Sequence, residues 1–135
     1  MIEEGEIDIA IDELRWLLDG SNEFIEAHSL LGELALSEDN DVELARAHFG
    51  FAYQTGMKAL RRAKMPTPLP YRLKANRAFF ESGKGLAWCL GQLDKPQMAV
   101  EVLETLLSCD PDSPLGLAEM LDGMKARGGG KKDAS

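Results

Sequence analysis

The chain has 135 residues, 44% of them hydrophobic, with 15 Lys and Arg against 23 Asp and Glu and a formal charge of −8. That length and apolar content suit a single folded domain and exclude disorder throughout. The acidic balance argues against a general nucleic-acid coat while leaving room for a local basic patch. No apolar run approaches the ~18 residues of a membrane span, and the acidic opening Met1 to Glu6 is unlike a secretory signal, so a cytoplasmic protein without membrane contact is expected.

The elements follow in chain order. Residues 7–19 carry Ile7, Ala10, Ile11, Leu14, Leu17 and Leu18 at helical spacing, and Gly20-Ser21-Asn22 ends that helix. A second helix runs from about Glu23 to Ser37 with Ala27, Leu30, Leu31, Leu34 and Ala35 as its apolar side. The polar turn Glu38 to Asp41 is placed to cap a third helix, which runs from Val42 past Leu60 with Leu44, Ala45, Ala47, Phe49, Ala52 and Tyr53. Pro66, Pro68 and Pro70 must stop any helix, since each ring removes a donor and pushes its predecessor toward extended geometry. A fourth helix spans about Arg72 to Leu90; Gly83 and Gly85 weaken it by about 1 kcal/mol each relative to Ala, so packing must need their smallness or the helix bends there. Pro96 opens a fifth helix with Ala99, Val100, Leu103, Leu106 and Leu107, closed by Asp110 to Ser113. Ser113 and Pro114 read as the N-cap and first residue of a sixth helix through Met124, and 127–135, with its triple glycine, reads as a disordered tail. No strand-like alternation occurs, so the fold class is all-α.

The run Leu86-Ala87-x2-Leu90-x8-Ala99-x3-Leu103-x2-Leu106-Leu107-x2-Asp110-Pro111 resembles the tetratricopeptide repeat, and Leu31-Gly32-x12-Ala45-x3-Phe49-x2-Ala52-Tyr53 is similar to the same unit. Ala10-x3-Leu14-x2-Leu17-Leu18 looks like a lone second helix of a unit leading in. The resemblance implies a right-handed solenoid of antiparallel helix hairpins over 1–126: a lead-in helix at 7–19, a repeat at 23–60, an insertion at 61–79, a repeat at 80–111 and a capping helix at 113–126. It also implies close helix crossings where Gly32 faces Ala45 or Ala52, and where Ala87 faces Ala99. Ala45 and Ala87 lie 42 residues apart where the repeat period gives 22; the excess surrounds the prolines.

Charge is segregated along the chain. Residues 1–48 carry a net −12, 49–93 a net +7 and 94–135 a net −3. The basic set is Lys58, Arg61, Arg62, Lys64, Arg72, Lys74, Arg77 and Lys84, interleaved with Tyr71, Phe79 and Phe80 around the insertion. Such a set suits an acidic peptide, a phosphate or an acidic face of a second copy of the chain. By resemblance, the first helix of each unit lines a concave groove that takes a peptide, at Glu26, Ser29, Glu33 and Leu36 and then at Lys84, Trp88 and Gly91. Trp88 is the apolar anchor among them. The members that clamp a chaperone's C-terminal carboxylate use Lys, Asn and Arg at places where this chain has Ser29, Glu33, Glu81 and Gly85, which argues against that ligand.

His28 and His48 are the only histidines and lack metal-ligand spacing. Cys89 and Cys109 sit in apolar helical patterns and read as buried, reduced thiols. No catalytic motif is present, so no catalytic residue, cofactor or metal site is expected. The reading is a non-catalytic adaptor for another protein or peptide, through the groove or the basic insertion. The alternatives are a self-associating structural protein and an accessory subunit or small metal-dependent enzyme using His28 and His48.

Overall fold

A computed structural model describes residues 23–62, 71, 74–112 and 115–134, with side chains for all of these except 74–75 and 128–134. The described residues form five helices and no strand: α1 over 23–37, α2 over Val42–Arg62, α3 over Lys74–Gln92, α4 over Pro96–Cys109 and α5 over Leu117–Ala134. Five helices are therefore described where six are expected; the lead-in helix expected at 7–19 lies outside the described residues. The all-helical class is as the periodicity predicts. From α2 onward, each helix packs on its neighbour in sequence: α2 on α3, α3 on α4 and α4 on α5.

Local chemistry sets the helix ends. Asp41 caps α2 as expected, its Oδ1 accepting from the Leu44 N–H at 3.0 Å. Asn40 turns the chain there with φ 48°. At the end of α3, Asp94 takes φ 64°, the Asp94 N–H donates to Gly91 O at 3.2 Å and the Lys95 N–H to Leu90 O at 2.8 Å. These two bonds close the last turn of α3, and Pro96 at the first position of α4 loses nothing by lacking an N–H. Ser113 and Pro114, expected to open the last helix, lie outside the described residues; α5 is described from Leu117, after Gly116 at φ 69°. Its backbone stays helical to Ala134, past the boundary that the glycine run marks at 126.

Helix takes both ends of the insertion expected at 61–79. Arg61 and Arg62 form the last turn of α2, and α3 begins at Lys74. The proline-bearing connection is 63–73, of which Tyr71 is described, and Tyr71 is fixed at both ends. Its N–H donates to Asp110 Oδ2 at 2.8 Å, its hydroxyl donates to Glu81 Oε1 at 3.0 Å, and the Arg77 guanidinium lies 5.8 Å from its ring centroid. Asp110 Oδ1 also accepts from the Asp112 N–H at 3.0 Å, so one carboxylate ties the start of α3 to the end of α4.

The core runs along the serial helix contacts and is dense around aromatic rings and glycines. Phe79 and Phe80 are fully buried and in edge contact, with Tyr53 stacked on Phe79 at 5.5 Å between centroids. Phe49 of α2 lies between two glycines: a Cβ at Gly32 would stand 2.7 Å from its ring and one at Gly85 would stand 2.8 Å from it. Gly83 meets Leu106 in the same way, at 2.7 Å. The need for small residues at 32, 83 and 85 is as the sequence requires, but the partner of Gly32 is Phe49 rather than Ala45 or Ala52. The buried side of α1 also differs from the expected one. Ile25, Ser29, Gly32 and Ala35 are buried, whereas Ala27, Leu30, Leu31 and Leu34 are exposed, because turning Gly32 toward Phe49 rotates the leucines away from α2.

Candidate functional site

Along α2 the residues Glu43, Arg46, Ala47, Gly50, Gln54, Met57 and Arg61 recur every three or four positions and so share one face. Met98, Glu101, Val102 and Thr105 do the same on α4. These two faces are the walls of an open groove of about 710 Å³, and Leu86 and Leu90 of α3 line it between them. Gly50 leaves the groove deep at its middle, since a Cβ there would meet only Leu86, at 3.9 Å. Two large side chains on its lining stay open to solvent, Phe51 at 60% and Met98 at 45% exposure.

The electrostatics of the groove are mixed. Arg46 and Arg61 face it from α2, with Glu43 on the same helix and Glu101 on α4. Tyr53 presents its phenol among these residues; burial pushes its ionisation upward, partly countered by a hydrogen bond with Thr105. The hydroxyl is therefore a neutral polar group in an apolar wall, suited to fixing the register of a bound backbone. The Cys89 thiol is fully buried and pushed by desolvation up to about 11, with Arg46 acting against that rise. Both cysteines are free and buried, as the sequence predicts.

The expected peptide-binding residues do not gather here. Lys84 and Trp88 lie two positions from Leu86 and Leu90, hence about 200° round α3 and on its far side from the groove. Lys84 is occupied, its Nζ donating to Leu115 O at 2.7 Å. Gly91 is buried beneath Met124. Trp88 is 42% exposed. On α1, Glu26 and Glu33 are exposed, Ser29 is buried and Leu36 packs against the core. None of these lines the groove.

Of the basic set, Lys58, Arg61 and Arg62 are exposed on the last turns of α2, and Arg61 also lines the groove. Arg77 turns to the Tyr71 carbonyl, 3.4 Å from its Nε. Lys64 and Arg72 lie outside the described residues, as does the side chain of Lys74. The aromatic residues Phe79 and Phe80 are core residues, so they do not interleave with the basic side chains at the surface. His28 and His48, twenty residues apart, are brought together with their Nδ1 atoms 3.1 Å from each other. Sequence reasoning missed the groove because its depth comes from a missing side chain in the α2 wall: the spacing from Glu43 to Arg61 was visible, but a glycine at position 50 reads as a weak helix residue until the neighbouring helices are in place.

Comparison with protein-family models, with curated proteins and with solved structures finds no match to this chain. No helix among the described residues is long and apolar enough to cross a membrane.

Proposed function

We propose that the protein is a non-catalytic interaction module, built like a tetratricopeptide array, that holds a segment of another protein in the groove between α2 and α4. The observation that carries this reading is the groove itself: an apolar floor of Leu86 and Leu90, exposed Phe51 and Met98 on its lining, and charged residues of both signs along its walls. A helical or extended segment with apolar anchors and flanking charges fits such a surface, because anchors desolvate in the pocket while the charges set register. The serial packing of consecutive helices supports a hairpin array. The basic end of α2 at Lys58, Arg61 and Arg62 adjoins this groove, Arg61 lining it, and suits an acidic stretch of the partner.

Gly50→Leu tests the reading. The substitution places a side chain in open groove space and improves helix propensity, so folding is retained while the groove is filled. Proteins captured by the parent and lost with Gly50→Leu support the groove. Capture unaffected by a filled groove contradicts it.

A further inference from the structure

His28 of α1 and His48 of α2 aim the same ring atom at each other, Nδ1 to Nδ1 at 3.1 Å. A neutral pair at that distance is held by one Nδ1–H donating to the other ring's Nδ1 lone pair. The same separation is close to the bite of two imidazoles on one metal ion. With metal–nitrogen distances of about 2.0–2.1 Å and tetrahedral angles, the two nitrogens stand about 3.3 Å apart. The rings need to open by only a few tenths of an ångström. Phe24 packs on His28 at 4.3 Å between centroids and Phe51 at 5.6 Å, so two aromatic neighbours hold the His28 ring before any ion arrives.

We infer that His28 and His48 chelate one divalent transition-metal ion through their Nδ1 atoms, joining α1 to α2. The donor set fixes the class of ion. Among the described residues no third His, Cys, Asp or Glu joins the pair, so the described donors are imidazole alone. That set favours Zn²⁺, Ni²⁺ or Cu²⁺ and disfavours Mg²⁺ and Ca²⁺, which take oxygen donors. On binding, the proton of the donating Nδ1 moves to Nε2 of the same ring through solvent. Both rings stay neutral and both lone pairs turn to the metal. The remaining coordination places are left to water. The buried thiols of Cys89 and Cys109 do not compete for the ion.

The experiment is calorimetric titration of the full chain with Zn²⁺ and with Mg²⁺, on the parent and on His28→Phe and His48→Phe. Phenylalanine keeps an aromatic ring beside Phe24 and Phe51, and circular dichroism checks the fold. The expected result is one equivalent of Zn²⁺ per chain, no Mg²⁺ response, and loss of the Zn²⁺ response in each variant. A second reading uses the parent alone: with ¹⁵N-labelled histidine, Zn²⁺ should shift the Nδ1 resonances of both rings and leave both Nε2 atoms protonated. Zn²⁺ binding that survives either substitution, coordination through Nε2, or no binding at all would overturn the inference.

Discussion

Replacing Gly32 or Gly85 by Leu drives a side chain into the Phe49 ring, which already stands within 2.8 Å of where a Cβ would lie at either position. Overpacking of this kind costs about 1 to 3 kcal/mol, and both changes act on the same ring. Each variant should therefore melt lower by roughly 4 °C for every kcal/mol lost, and the double variant should fall short of the sum, because the second Leu enters a crossing the first has opened. Phe49→Ala should cost about 3 to 5 kcal/mol, since the ring is buried between three helices. The glycines at 83 and 85 could be read in sequence as demands for space, while the identity of what fills that space could not, because it depends on helix rotation. At the buried thiol, the ordinary ionisation at 9.0 rises to about 11 in the folded state. The folded state thus holds the proton more tightly than the unfolded one, and its stability should decline as pH rises from about 9 to 11. Native protein at pH 8 should leave Cys89 unlabelled by a thiol reagent until denaturant is added.

Element ends were legible where the signal is local. Asp41 as a cap and Pro96 as a first helical residue both act within one turn, and both are in place. Ahead of α5, Gly116 takes φ 69°, a left-handed backbone that glycine adopts readily. The exposed side of α1 was not legible: Leu30, Leu31 and Leu34 form the stronger apolar stripe, yet the tight crossing at Gly32 decides which side faces α2. Asp110 joins α4 to Tyr71, so Asp110→Ala leaves two backbone N–H groups without their acceptor and should destabilise by about 1 to 3 kcal/mol in urea unfolding. Arg127 ends the part of α5 whose side chains are described, donating to Gly91 O at 2.8 Å. Removing residues from Gly128 onward should change stability by less than about 0.5 kcal/mol. A larger loss would mean that the glycine run packs on the rest of the molecule.

At the scale of the whole molecule, the all-helical class and the order of the described helices could be read from spacing alone, but the groove between α2 and α4 could not. Peptide binding was expected where a repeat resemblance puts it, at Glu26, Ser29, Glu33, Lys84 and Trp88, and those residues are spread over two helices with Ser29 buried and Lys84 engaged. The groove lies where α2 and α4 flank α3, a relation between elements that no single stretch of sequence encodes. The basic end of α2 was legible as a charge run, and its use as one end of the groove follows from Arg61 lining it. Charge reversal at Lys58, Arg61 and Arg62 should weaken partner binding with a clear salt dependence in the parent, while helical circular dichroism stays intact. The most direct measurement is photocrosslinking from a light-activated amino acid placed at Gln54, on the groove wall, and at Glu33, on exposed α1. The account predicts a protein crosslink from position 54 that disappears when Gly50→Leu is added, and none from position 33. Crosslinking from position 33 with none from 54 would contradict it.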